Sequence, residues 1–131
     1  MIVVDSNVVA YLYLPGDYPE DAEALLEHDC DWAAPLLWRS EFRNILAGYM
    51  RRKTITYESA RNLPLEAESL VTGGEHDVDS RLILELARDT DCSAHDCEFV
   101  ALAITPDVKL VTMDAKLRKA FPKHAVALSF R

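Results

Sequence analysis

The sequence predicts an α/β fold with a mainly parallel central sheet of four to five short strands. Short apolar segments such as MIVV and KLVTM alternate with longer segments of helical character, and this alternation is typical of α/β domains. MIVV is apolar at every position, as expected for a strand that is buried on both faces of a parallel sheet. The chain has 131 residues, so we expect one domain over residues 1–131 with a core of its own.

The first half of the chain is predicted to contain two strands and three helices. Pro15 and Gly16 stop the first helix, because neither residue supports a helix interior. Pro35 begins the third helix, and the basic run 51–53 suits its C-terminus, where cations interact favourably with the helix dipole. The predicted elements are a strand at 1–4, helices at 6–14 and 18–27, a strand at 31–34 and a helix at 36–52.

The second half is predicted to end in two further strands. Thr56 is a suitable N-cap for a helix that runs towards residue 72. Pro64 is expected to kink or split this helix, and Gly73 and Gly74 end it. The remaining predicted elements are a very short strand at 76–78, helices at 79–88 and 94–104, a strand at 109–113, a helix at 114–121 and a strand at 125–130.

The formal net charge is −8, with 22 acidic and 14 basic residues. This charge argues against general electrostatic binding to nucleic acid, which favours a basic chain. It does not exclude a nuclease, because a metal site built from carboxylates is itself acidic and a local basic patch can still hold phosphate.

The three cysteines indicate a reducing compartment. Their number is odd, and the spacing of Cys92 and Cys97 is not that of a zinc site. We therefore expect free, partly buried thiols, including Cys30, in a cytoplasmic protein. No signal peptide and no stretch of membrane-spanning length is expected from the sequence.

Two acidic residues directly follow predicted strands. Asp5 follows MIVV, and Asp114 follows KLVTM. Each has an alternative role as a helix N-cap, a position at which aspartate is favoured. In a parallel sheet, however, functional sites gather at the carboxyl ends of strands.

Two further acidic residues lie on predicted helices and point along apolar stripes. Glu41 shares a helix face with Leu37 and Ile45, and Asp96 shares one with Val100. A buried carboxylate is costly unless it is paired or binds a metal ion. The alternatives are an internal salt bridge from Glu41 to a neighbouring arginine and, for Asp96, a favourable position in the first turn of its helix.

Four carboxylates that converge at one sheet edge would repel one another unless a cation neutralised them. Mg²⁺ and Mn²⁺ prefer carboxylate and water ligands, and such ions are used to cleave phosphodiester bonds. Zinc is disfavoured, because the four histidines are scattered along the chain. A receiver-like signalling domain is also disfavoured, since it needs an acidic pair after the first strand and MIVVDSN offers one aspartate.

The sequence resembles the PIN-domain ribonucleases, and among them the VapC-type toxins of VapBC toxin–antitoxin pairs. Four segments that together span the chain carry the resemblance: MIVVDSN, PLLWRSEFRNIL, SAHDCEFVALA and LVTMDAKL. The resemblance implies a PIN-like three-layer α/β/α sandwich. Some family members carry a further aspartate where this chain has Lys116, Leu117 and Arg118. The site of this chain would therefore rest on four acids, without a fifth acid for a second metal ion.

The resemblance also implies a site and a function. The metal-binding and catalytic residues would be Asp5, Glu41, Asp96 and Asp114, supported by Ser6, Asn7 and Thr112. Together they would hold one or two Mg²⁺ ions, or Mn²⁺, for endonucleolytic cleavage of RNA by metal-activated water. The implied partners are an RNA substrate, a cognate antitoxin protein and a second copy of the chain in a homodimer. The alternative is a non-catalytic PIN fold that binds RNA or protein.

The basic residues near the acids are candidates for binding RNA phosphate. The run after Asp114 contains no acidic residue up to residue 123, so it can form a phosphate-binding surface. The alternative is a solvated helix face with cations near its C-terminus. The candidates are Arg39, Arg43, Lys116, Arg118 and Lys119.

Overall fold

The computed structural model describes residues 1–128, and its centre is one five-stranded sheet. The strands are β1 Ile2–Val4, β2 Trp32–Pro35, β3 Glu75–His76, β4 Leu110–Val111 and β5 Ala125–Val126. Their order in the sheet is β3-β2-β1-β4-β5, and every adjacent pair is parallel. The predicted α/β class with a mainly parallel sheet is therefore confirmed.

Helices cover both faces of this sheet. Val3 and Val4 point to opposite faces, because side chains alternate along a strand, yet both are fully buried. The result is the predicted three-layer α/β/α sandwich, in which α7 packs against β1, β2 and β4. The helices are α1 Ser6–Tyr13, α2 Pro19–His28, α3 Trp38–Arg51, α4 Tyr57–Ala60, α5 Leu63–Leu70, α6 Ser80–Asp89, α7 Ala94–Ile104 and α8 Ala115–Ala120.

The predicted helix between residues 56 and 72 is split into α4 and α5. The Thr56 hydroxyl accepts a hydrogen bond from the Ser59 N–H at 3.1 Å and caps α4. Pro64 lies in the first turn of α5, where its missing N–H is tolerated. Proline therefore begins a second helix here, and the predicted split at this residue is confirmed.

The third strand lies closer to Gly74 than predicted. β3 covers residues 75–76, not 76–78, because Ala34 donates its N–H to the Gly74 carbonyl at 2.9 Å and pairs with Glu75. A side chain at Gly74 would place its Cβ in collision with the Trp32 carbonyl oxygen. Glycine is therefore required where the chain joins the sheet edge.

The last two strands are shorter than predicted. β4 covers residues 110–111 of the expected 109–113, and β5 covers residues 125–126. The end of the predicted strand at 125–130 lies in part outside the described residues. Thr112 still donates its N–H to the Val126 carbonyl at 2.9 Å, so the pairing of the two segments extends beyond the strand bounds.

The strand order places the ends of β1 and β4 side by side. The chain moves outward from β1 to β2 and β3, then returns to the other side of β1 for β4 and β5. The boundary between β1 and β4 is thus the topological switch point, where parallel α/β sheets form their ligand crevices. Within residues 1–128, no helix has the length and apolar character needed to cross a membrane.

Candidate metal centre

The four predicted acids line one cleft of about 420 Å³ at the carboxyl ends of β1 and β4. Each of the four side chains is half-buried and comes from a different element. Asp5 follows β1, Glu41 lies on α3, Asp96 lies on α7 and Asp114 precedes α8. The other residues that line the cleft are Ser6, Asn7, Leu37, Ser40, Asn44, Ile45 and His95.

Asp5 is held in place by Val111 on β4 and by Thr112, which directly follows this strand. Its N–H donates to the Val111 carbonyl at 3.1 Å, and its Oδ2 accepts a hydrogen bond from the Thr112 hydroxyl at 2.7 Å. Burial raises the pKa of Asp5, and the charge of Asp96 adds to this, while the Thr112 hydroxyl opposes it. Asp5 does occupy the N-cap position of α1, but its side chain makes no capping hydrogen bond to this helix.

Glu41 is bound by a hydroxyl and not by a cation. The Ser6 hydroxyl, which is 2 % exposed, donates to Glu41 Oε1 at 2.7 Å. Burial raises the pKa of Glu41, and the charges of Asp5 and Asp96 raise it further, whereas Ser6 and His95 lower it. Among residues 1–128 no basic side chain forms an ion pair with Glu41, so the salt-bridge alternative is not realised.

Asp114 is the N-cap of α8, which is the alternative role that the sequence suggested for it. Its Oδ1 accepts hydrogen bonds from the N–H groups of Lys116 at 2.9 Å and Leu117 at 3.4 Å. Its own N–H donates to the Thr112 hydroxyl at 3.1 Å. Thr112 therefore binds both strand-end acids, and Asp114 lines the cleft while it caps α8.

The donor set suits a hard divalent cation. As the side chains stand, no three His, Cys, Asp or Glu groups within residues 1–128 converge closely enough to enclose an ion. Glu41 is held towards Ser6 and Asp114 towards the α8 amides, while Asp96 raises the pKa of both Asp5 and Glu41 by repulsion. Carboxylates that repel one another in a polar cleft match the preferences of Mg²⁺ or Mn²⁺.

A model of the family described as "PIN domain" matches residues 2–121. This match covers most of the chain. The chain belongs to the PIN domain family. No curated protein sequence matches it.

Solved structures share the fold of this PIN domain. FitAcB from Neisseria gonorrhoeae has 17% identity and a TM-score of 0.77, with 98% of each chain covered. PAE2754 from Pyrobaculum aerophilum has 17% identity and a TM-score of 0.75, over 97% of this chain and 90% of the other. A toxin–antitoxin complex from Klebsiella pneumoniae has 16% identity and a TM-score of 0.70, with both chains fully covered. At these sequence identities the similarity shows only that the fold is shared.

Two of the five basic candidates of this PIN domain make contacts within the protein. Arg39 is bound by two carboxylates, with Nε 2.6 Å from Glu75 and Nη1 2.8 Å from Glu68. Arg118 is half-buried, with Nη2 3.5 Å from the Met113 carbonyl. The exposed candidates are Arg43, Lys116 and Lys119.

Three polar cleft residues of the PIN domain were not among the predicted site residues. Asn44 lies one helical turn after Glu41, so helical spacing alone could have placed it in the cleft. His95 precedes Asp96, and its proximity lowers the pKa of Glu41. Ser40 is adjacent to Glu41, and no spacing rule distinguishes it from other exposed helix residues.

Proposed function

We propose that the protein is a metal-dependent endoribonuclease and the toxin component of a type II toxin–antitoxin system, with a single PIN domain over residues 1–131. The observation that carries the proposal is the cleft that brings together carboxylates from four elements. Membership of the PIN domain family supports it. A solved structure with the same fold, a toxin–antitoxin complex from Klebsiella pneumoniae, supports the toxin role.

In this proposal the four carboxylates hold one or two divalent ions, Mg²⁺ or Mn²⁺. When bound, the ion supplies a water of lowered pKa and positive charge next to the scissile phosphate. The Thr112 hydroxyl fixes the Asp5 carboxylate, and the Ser6 hydroxyl fixes that of Glu41, so the ligands are oriented before the ion arrives. Cleavage leaves a 5′-phosphate and a 3′-hydroxyl.

The proposal includes a protein inhibitor. An acidic cleft in a half-buried setting attracts cations, so a basic side chain of a cognate antitoxin would neutralise the carboxylates and exclude the ion. The protein would act as a homodimer, and its substrate would be RNA.

RNA cleavage with Mg²⁺ or Mn²⁺ tests the proposal directly. The wild type is compared with Asp5→Asn and Asp96→Asn, with and without a chelator, and with Asp17→Asn as a control at an exposed acid outside the cleft. We expect chelation and each cleft substitution to lower cleavage by about 100-fold or more, because each removes charge from the ligand set.

Cleavage that survives both cleft substitutions would refute the proposed site. RNA that is bound but never cleaved with either ion would instead indicate the non-catalytic binding module. Growth arrest on expression, relieved by the product of a neighbouring small reading frame, tests the toxin role separately.

A further inference from the structure

A second groove adjoins the acidic cleft and has the opposite charge. We name it the basic groove. It is lined by Asn7, Asn44, Ile45, Gly48, Tyr49, Arg51 and Arg52. Three of these residues, Asn7, Asn44 and Ile45, also line the acidic cleft. The two concavities therefore form one continuous surface.

One face of α3 and its C-terminus runs along the length of this surface. Residues at spacings of three, four, seven and eleven from Glu41 lie on the same side of a helix. Over eleven residues the rise is about 16 Å, which leads from the candidate metal centre to the end of the basic groove. The residues at these spacings are Asn44, Ile45, Gly48 and Arg52.

Tyr49 and Gly48 lie next to the Arg52 guanidinium at the far end of the groove. The guanidinium carbon lies 4.9 Å from the centroid of the Tyr49 ring, a stacking arrangement that favours a cation. A Cβ at Gly48 would lie 3.2 Å from Arg52 Nη1, so glycine makes room for the guanidinium against the helix. The guanidinium thus packs between the Tyr49 ring and the helix surface at Gly48.

The charge of the groove is not neutralised by the protein itself. The chain has 22 acidic residues, yet in the part of the chain that the structure describes none forms an ion pair with Arg51 or Arg52. Arg39, Arg61 and Arg88, by contrast, each pair with a carboxylate. The groove therefore presents free cationic groups beside exposed asparagine side chains.

We propose that the basic groove binds the backbone phosphates of single-stranded RNA on one side of the scissile bond, with Arg52 as a phosphate ligand. This inference rests on the proposed nuclease function. Arginine binds phosphate through two parallel N–H donors, and phosphate contacts set the position of a nucleic acid without reading its sequence. Asn7 and Asn44 lie at the junction, where the strand passes from the groove into the acidic cleft.

Binding of a single-stranded oligoribonucleotide of mixed sequence, 2′-O-methylated so that it resists cleavage, tests the inference in the presence of a chelator. Fluorescence anisotropy is measured over a range of salt concentrations. Arg52→Ala is expected to raise the Kd about tenfold and to lower the slope of log K against log salt by about one. The control is Arg61→Ala, which removes an exposed arginine outside the groove and should leave both values unchanged.

Gly48→Ala provides a second variant that keeps every charge. The added Cβ would lie 3.2 Å from Arg52 Nη1, so the guanidinium has to shift by a few tenths of an ångström, while alanine is a better helix former than glycine. We expect the Kd to rise about threefold, with a salt slope between those of the wild type and Arg52→Ala.

The outcomes separate this inference from the proposed function. Equal Kd values for Arg52→Ala and Arg61→Ala, or no RNA binding by the wild type, would overturn the inference. So would an Arg52→Ala variant that loses affinity for the cognate antitoxin and not for RNA, because the groove would then bind an acidic protein segment. Weaker RNA binding by Arg52→Ala in a protein that never cleaves RNA would support the groove and refute the nuclease.

Discussion

Replacing Thr112 by valine removes the hydroxyl that connects the two strand-end acids. Valine has nearly the same shape as threonine, and Thr112 is fully buried, so the packing is retained while the polar contacts are lost. The wild-type hydroxyl donates to Asp5 Oδ2 at 2.7 Å and accepts from the Asp114 N–H at 3.1 Å. Both partners lose a hydrogen bond in the variant.

The expected loss in the free energy of unfolding follows from these two bonds. A hydrogen bond to a charged group contributes about 1.5–3 kcal/mol, and one between neutral groups about 0.5–1.5 kcal/mol. Their sum centres on about 3 kcal/mol at neutral pH, a large share of the total stability of a small domain. Under the proposed function, affinity for a divalent ion should also fall about 10- to 100-fold, because the carboxylate of Asp5 loses its orientation.

The effect depends on pH in a defined direction. The Thr112 hydroxyl lowers the pKa of Asp5, which burial raises above its ordinary value of 3.8, so the valine variant raises this pKa further. When a carboxyl has a raised pKa in the folded state, the protein loses stability as the pH rises through that pKa, because the folded state holds the proton more tightly than the unfolded state. The difference between the variant and the wild type should therefore grow from pH 4 towards neutrality.

Urea denaturation near pH 4 and at pH 7, without divalent ions, measures both effects. Thr112→Ser is the matched control, because it keeps the hydroxyl and loses one buried methyl group, at a cost of about 1 kcal/mol. A valine variant within about 0.5 kcal/mol of the serine variant at pH 7, or a difference that does not shrink in acid, would refute the reasoning.

Two further substitutions test the fold and the site. Gly74→Ala should destabilise the protein by about 3 kcal/mol, because the added Cβ collides with the Trp32 carbonyl oxygen; thermal unfolding measures this, and a change in Tm of less than a few degrees would contradict it. Ser6→Ala should cost about 1 kcal/mol at pH 7 and less near pH 4, since the Ser6 hydroxyl lowers the raised pKa of Glu41; denaturation at both pH values checks it, and a cost independent of pH would count against this role.

The sequence was sufficient to locate the cleft because its signals are local. An acidic residue directly after an apolar strand, as at Asp5 and Asp114, has to lie at the sheet edge once the strand is buried. An acidic residue on an apolar helix stripe, as at Glu41, has to point inward. The structure brings all of them to one surface, together with Asp96.

Whether a basic side chain is paired within the protein or free depends on contacts between distant parts of the chain. Arg39 binds Glu75, which is 36 residues away, and no pattern within either segment shows this pairing. The ends of β4 and β5 likewise depend on how far two separate segments stay in register. Charge patterning in the sequence identified cations near the site but could not show which of them remain free.

The place of β4 in the sequence determines when, during synthesis of the chain, the acidic cleft can form. Asp5 and the hydroxyl that fixes it lie 107 positions apart in the chain, and Asp114, the last acid of the cleft, follows that hydroxyl by two positions. During synthesis the four acids therefore cannot come together before residue 114 has been made and β4 has paired with β1. In the proposed nuclease, this order leaves an emerging chain without a complete site until that pairing has formed.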